Sequence, residues 1–240
     1  MTTATREKIQ GAYSTGADEY DQVRLEDARG RMLSEHDQRI FASLFPQSQG
    51  DMNVVEIGAG TGRFTVLALE RGFSLTATDI NQEMLDLLTS KAASMNAADR
   101  CQVQIQDAFN LTLEKSHYDY VFSLHVIPRF LTVEDQQAAI KSIASLVKPG
   151  GRFLFNYRNR KSFYNLLYKG PAATPGQIRQ ALEASGMHIE SRRGKWLVNK
   201  RLLLRLPVFV GRVVIAIDAM LLRFWPDRSW DVFVVAVKDR

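Results

Sequence analysis

Three alternate glycines, Gly58, Gly60 and Gly62, follow an apolar run and an acid, Glu56, in the stretch Val54–Thr65. A second acid, Asp79, closes the next apolar alternation, and a third, Asp107, follows the one after it. Glycine lacks a Cβ, so a turn built on it can take positive φ and let a ligand lie against the backbone. The first amides of a helix that begins there have no intrahelical partner and can face that ligand. A carboxylate about 20 residues further on can accept both hydroxyls of a ribose. The chemistry is that of a nucleoside-bearing cofactor. These residue types alone leave open whether it is a dinucleotide such as NAD or something smaller.

The elements that must position these groups can be read in order. Residues 5–40 are polar and helical in pattern, carrying Tyr13, Tyr20, Arg24 and Arg29, and are expected either to cover the site as a lid or to cap a sheet edge. Met52–Ile57 is expected to be a strand and Thr61–Arg71 a helix stopped at Gly72. Phe73–Asp79 is a second strand, and Asn81 caps a helix running to about Met95. Cys101–Gln106 and Tyr118–Leu124 are the third and fourth strands. Thr132 caps a helix over Val133–Val147, which Pro149-Gly150-Gly151 stops before a fifth strand, Arg152–Tyr157. Thr174-Pro175-Gly176-Gln177 is a capping box with proline at the first helical position. Met187–Arg193 and Trp230–Val237 read as two further strands. Strands alternating with helices imply a parallel sheet with right-handed crossovers. The expected organisation is one α/β domain over 1–240. It comprises an N-terminal helical segment at 1–50, a doubly wound core at 51–194 and 229–240, and a helical insertion at 195–228.

Composition bounds the function. Of 240 residues, 45% are hydrophobic and 24% charged, as in soluble globular chains. The lone cysteine, Cys101, excludes an internal disulfide framework and fits a reducing, cytoplasmic setting. It is read as a structural thiol. The N-terminus lacks a secretory apolar region. Net charge is +5 but uneven: residues 192–240 hold 11 Lys/Arg against 4 Asp/Glu, and the rest is slightly acidic. That argues for a local basic face and against nucleic acid wrapping the whole protein.

The spacing around the turn is G-x-G-x-G, with Arg63 where a nicotinamide-binding turn has its third glycine. Glu56-Ile57-Gly58-Ala59-Gly60-Thr61-Gly62 resembles the first motif of class I S-adenosylmethionine-dependent methyltransferases. Four more stretches agree in order: Asp79-Ile80-Asn81 with Met84 on the next helix, Gln106-Asp107-Ala108, Tyr118–Ser123, and Leu146-Val147-Lys148-Pro149-Gly150-Gly151. The resemblance covers residues 50 to about 157. Its flavour is that of the small-molecule group that includes ubiquinone/menaquinone-type enzymes. It implies a Rossmann-like sheet, mostly parallel with an antiparallel last strand, and S-adenosyl-L-methionine as cofactor. It also implies that Gly58, Ala59, Gly60 and Gly62 pack the methionine part and that Asp79, with Ile80 and Met84, holds the ribose side. Asp107 with Ala108 would read the adenine, and Ser123 and the lid residue Tyr20 would complete the site. Glu56 orients the turn or meets the cofactor's amino group through water.

The acceptor is less legible. In-line methyl transfer needs alignment and exclusion of water, and a general base only if the acceptor loses a proton early. The segment Ser123-Leu124-His125-Val126-Ile127-Pro128 lacks the Asn/Asp-Pro-Pro-aromatic motif of DNA amino-methyltransferases. It also lacks the acidic cluster of catechol-type enzymes, so no metal is expected. His125, just past the fourth strand, is the candidate base; its alternative role is to pack beside the cofactor or hold its loop. Asn156, Tyr157 and Arg158 are expected to face the same cleft. The stretch 199–225 is strongly apolar but broken by arginines, and its uncharged runs are too short to span a bilayer. Pro207 is expected to start a helix there, with Arg212 and Arg223 on one face. Three readings of that surface rank in order: wall of an apolar acceptor pocket, peripheral membrane contact, homodimer interface. The expected reaction is O- or C-methylation of a small, hydrophobic or lipid-linked molecule. The alternatives are an NAD(P)-dependent oxidoreductase and a non-catalytic cofactor-binding module.

Overall fold

The computed structural model describes residues 27–47, 51–162, 170–197, 203 and 205–240. Seven strands form one sheet: β1 (Val54–Ile57), β2 (Leu75–Asp79), β3 (Cys101–Ile105), β4 (Tyr118–Ser123), β5 (Val147–Arg158), β6 (Met187–Lys195) and β7 (Asp231–Lys238). Their order is β3-β2-β1-β4-β5-β7-β6. Only β7 runs against its neighbours, pairing antiparallel with both β5 and β6. The helices are α1 (Ala28–Leu44), α2 (Arg63–Glu70), α3 (Gln82–Ser94), α4 (Val133–Ala144), α5 (Pro175–Glu183) and α6 (Val208–Leu221). The mostly parallel, doubly wound sheet with an antiparallel last strand is therefore present.

Strand alternation sorts the core into two layers. Val55, Ile57, Val121, Phe153 and Phe155 face one side, where Ile140 and Ile143 of α4 and Ile178 and Leu182 of α5 close over them. The intervening Val54, Tyr120, Phe122 and Leu154 face the other side, with Phe41 of α1, Phe45 and Phe64 of α2. Phe41 and Phe45 each lie within 5.5 Å of the Phe122 ring centroid, so α1 is seated on the sheet by aromatic contacts.

The expected caps occur. Asn81 and Thr132 accept from backbone amides three residues on, and Thr174 and Gln177 form the reciprocal capping box. Pro149-Gly150-Gly151 does not stand outside the sheet; it lies within β5, where the register against β4 shifts between Val147 and Arg152. The helix before it ends earlier, at Ala144.

β1 and β4 are adjacent at the centre of the sheet, and the chain crosses to opposite sides from them. The carboxyl ends of these strands form the switch point where open α/β sheets bind ligands.

Candidate functional site

The glycine turn leaves β1 at that switch point. The amides of Gly58 and Ala59 donate to the Thr78 carbonyl at 2.8 and 2.7 Å, and Thr78 Oγ1 donates to the Glu56 carbonyl at 2.9 Å. The turn is thus fastened to the end of β2. All three glycines have positive φ, +78°, +55° and +86°, yet they serve differently. A Cβ on Gly58 would sit 2.2 Å from Val126, and one on Gly62 would sit 2.2 Å from Leu88. Those two glycines permit close packing. A Cβ on Gly60 would meet nothing within 4 Å, so its open side faces space a ligand can fill.

Asp79 is aimed at the same place. Its Oδ2 accepts from the Gly60 amide at 2.8 Å and its Oδ1 from the Asn81 amide at 3.0 Å. Burial pushes its carboxyl upward in pKa, against the pull of those amides. Beneath the turn, Glu56 is buried and accepts from the Thr65 hydroxyl. Burial pushes the Glu56 carboxyl up to about 8, so it is mostly protonated at neutral pH.

These groups line one open cleft, the kind of concave site in which small molecules bind. Glu56, Gly58, Ala59, Gly60, Asp79, Ile80, Met84, Asp107, Ala108 and His125 all border it. Two of the expected cofactor residues do not. Ser123 is wholly buried in the sheet, one position before the strand opens. Gly62 is the left-handed cap of α2, occupied with its contact to Leu88. Tyr20 lies outside the described residues. Asn156 and Tyr157 are buried away from the cleft, and Arg158 lies over the Trp230 ring.

Several lining residues carried no site signal in the sequence. Phe109 and Phe130 meet edge to face at 4.7 Å and make an apolar wall with Leu124 and Val126. They come from irregular loops, where periodicity says nothing. Arg63 was notable only for replacing a glycine; its guanidinium lies over Phe64 and borders the cleft.

The largest omission is Asp37 of α1. Its side chain is 6% exposed and gathers three cationic or titratable partners from three other elements. Lys195, at the end of β6, forms an ion pair with it and is itself buried. Arg63 Nη1 lies 3.2 Å from Oδ2, and His125 Nε2 lies 3.4 Å from the same oxygen. Although burial opposes it, the Lys195, His125 and Arg63 side chains hold the Asp37 carboxyl well below the usual carboxylate range. Burial pulls His125 down to about 4 despite the nearby Asp37, so the ring is neutral at pH 7. His125 has φ +63°, and the Asn156 side chain clamps it: Oδ1 accepts from the His125 amide at 2.7 Å, and Nδ2 lies 3.5 Å from Nδ1. Both ring nitrogens therefore have protein neighbours, Asp37 on one side and Asn156 on the other.

Among the described residues, the cleft lining lies between Glu56 and Phe130 and includes none of the insertion. The inner face of α6 is taken by other contacts. Ile215 packs with Met32 and Trp196, and Asp218 accepts from the amides of Trp196 and Leu197 at 3.2 and 2.8 Å. Among the described residues of the insertion, the apolar side chains of α6 either pack with Met32, Leu33 and Trp196 or face outward.

Comparison with known proteins agrees with the geometry. Residues 54–151 match the family model described as Methyltransferase domain. A ubiquinone biosynthesis O-methyltransferase of Coxiella burnetii is 25% identical over 154 residues, covering 57% of this chain and 64% of the relative. The biotin biosynthesis bifunctional protein BioHC of Cellvibrio japonicus is 30% identical over 152 residues, 63% of this chain and 27% of the relative. The chain thus spans less than two thirds of the length of these curated relatives. Among solved structures, the magnesium protoporphyrin IX methyltransferase of Synechocystis PCC 6803 with bound SAM superposes with a TM-score of 0.68 at 16% identity, covering 98% of this chain and 97% of that one. The [4+2]-cyclase SpnF has a TM-score of 0.61 at 15% identity, covering 84% and 80%. A fold shared with a cyclase fixes architecture and not reaction, which must come from the site. Residues 54–151, which hold the glycine turn and both strand-end carboxylates, thus match a methyltransferase domain, and the chain shares its fold with a methyltransferase that binds SAM.

Proposed function

We propose that this chain transfers a methyl group from S-adenosylmethionine to a small, largely apolar acceptor, at oxygen or carbon. One observation carries the reading: the open backbone of Gly60 and the Asp79 carboxylate share one cleft. Both Asp79 oxygens accept backbone N–H groups, and the carboxylate's remaining lone-pair capacity is available to a ribose hydroxyl. Ile80 and Met84 would flank that ribose, and Asp107 with the Ala108 amide would meet the adenine edge. Arg63 and Arg129 border the cleft and could face a carboxylate.

The bound cofactor supplies a methyl group on a positively charged sulfur. The protein's contribution is alignment and exclusion of water. Phe64, Leu124, Val126 and Phe130 give the cleft apolar walls suited to an apolar acceptor. We assign His125 a positioning role: its ring nitrogens are turned to Asp37 and Asn156, and an acceptor that reacts as its anion, its proton already lost to solvent, needs no base from it. Glu56, protonated, holds the turn through Thr65.

A nucleic acid acceptor is not part of this reading, since the excess basic charge lies in residues 192–240 and the cleft lining lies between 56 and 130. The test is calorimetric titration with S-adenosylhomocysteine and, separately, NAD. Binding of the first with loss in Asp79→Ala supports the proposal; binding of NAD alone overturns it in favour of an oxidoreductase.

A further inference from the structure

Helix α6 presents a face that nothing in the described structure covers. Taking about 100° per residue, Phe209, Val213, Ile217 and Met220 fall within an arc of about 80°. The residues that pack inward, Gly211, Ile215, Asp218 and Leu222, lie opposite. Phe209 is 73% exposed, Phe224 74% and Trp225 60%. These are the largest apolar side chains of the segment, and they lie outward while smaller ones are buried.

Charge flanks the stripe on one side. Arg212 lies beside it on the helix by the same angular count, Arg205 and Arg223 stand just before and just after the helix, and all three are exposed. Arg212 also lies 3.5 Å from Glu35, an open contact with both side chains largely solvated. Of the two acids between 205 and 228, Asp218 is buried beneath the helix and Asp227 is bound to Arg192 at 2.7 Å. The exposed side chains of this segment are thus apolar or arginine.

We propose that this face docks on an anionic lipid bilayer, with the helix lying in the plane of the interface. From Phe209 to Met220 the helical stripe runs about 16 Å at 1.5 Å per residue, and Phe224 and Trp225 extend it past the helix end. Aromatic and aliphatic side chains would enter the headgroup and acyl boundary, and the arginines would meet lipid phosphates. The match of charge selects this occupant: three exposed arginines at an apolar stripe, against Glu35 beside Arg212, leave a net positive charge that complements an anionic apolar surface. No helix among the described residues is long and apolar enough to cross a membrane, so the contact is peripheral.

The docking face also connects to the cleft. Gly211 lies against Met32 of α1, and a Cβ there would sit 3.1 Å from its sulfur. The next turn of α1 carries Asp37, which holds Arg63 and His125 at the cleft. A bilayer against α6 would therefore sit on the element that holds one side of the site, where an apolar acceptor is concentrated. The docking itself does not depend on the methyl-transfer reading.

Flotation of the full chain with vesicles tests it. Vesicles of phosphatidylglycerol mixed with phosphatidylcholine should bind at least about tenfold more protein than phosphatidylcholine alone, and added salt should weaken binding. The double variant Phe209→Ser, Phe224→Ser should lose binding to both compositions. The triple variant Arg205→Gln, Arg212→Gln, Arg223→Gln should lose only the preference for anionic lipid. All five positions are exposed, so thermal unfolding of the variants should match the native chain and separate docking from folding. Equal flotation of the Phe variant and the native chain overturns the proposal. So does a dimer, by sedimentation, that the Phe variant dissociates, for the face would then be an interface between copies.

Discussion

Replacing Asp37 by Asn perturbs the charge cluster at its centre. The Lys195 side chain is 4% exposed and would lose its counter-charge without reaching water. Arg63 is 14% exposed and His125 26%, so they are better placed to relax. Breaking a buried pair by removing one partner costs about 3–5 kcal/mol. For a chain of this length each kcal/mol moves Tm by roughly 2–4 °C, so a fall of about 10 °C is expected. Circular dichroism melts of native and Asp37→Asn protein at pH 7 measure it. Because the folded carboxyl is held below its unfolded value, its stabilisation is present above about pH 3.9 and fades as pH falls further. The gap between the two proteins should therefore be constant from about pH 5 to 8 and narrow in acid. The double replacement Asp37→Leu, Lys195→Met leaves no buried unpaired charge and should recover about half of the loss. A deficit under about 1 kcal/mol, or a double variant no better than the single one, would refute the reasoning.

Gly62→Ala should destabilise the fold by about 2–4 kcal/mol, since its Cβ would overlap Leu88 at 2.2 Å and its φ is +86°. Gly60→Ala should cost only about 1 kcal/mol of stability, from φ alone, yet weaken cofactor binding more than about tenfold by filling the cleft. Denaturant melts and calorimetry on both variants separate the two roles, and equal behaviour would contradict them. Burial depresses His36 and His125 to about 4 and raises Glu56 to about 8. Below about pH 6.5 the unfolded chain takes up two histidine protons that the fold refuses, while above about pH 4.5 the fold keeps one Glu56 proton that the unfolded chain releases. Stability should thus rise by a net of about 1.4 kcal/mol per pH unit from pH 4.5 to 6.5 and fall at a similar slope towards pH 8. Urea melts across that range should peak near about pH 6.5, and Glu56→Gln should remove the alkaline decline. A profile that falls equally steeply in the Gln variant would exclude Glu56 as its source.

What was legible in the sequence was what repeats or what backbone geometry dictates. Alternation in Val54–Ile57, Leu75–Asp79 and Tyr118–Ser123 gave the strands their faces, and the caps at Asn81, Thr132 and Thr174 gave helix starts. The glycine turn and Asp79 were readable because positive φ and a strand-end carboxylate leave marks in residue type. Asp37 left none. It is one acid in a polar helix, and its importance comes from Lys195, 158 positions away, folding onto it. Phe109 and Phe130 sit in loops without period. Asn156 was read as facing the acceptor, yet it turns inward because the left-handed backbone of His125 needs its carbonyl. The orientation of the insertion was not legible for a related reason: its apolar character was visible, but composition does not say which face of α6 meets α1 and which meets solvent.

The central claim is that the cleft at Gly58–Gly60 and Asp79 holds S-adenosylmethionine. Isothermal titration of the native chain and of Asp79→Ala with S-adenosylhomocysteine tests it most directly. The account predicts one site per native chain and an affinity at least about a hundredfold weaker in the variant, since two charge-assisted hydrogen bonds are worth about 3 kcal/mol or more. Equal affinity in the two proteins, or no binding by the native chain, would contradict it.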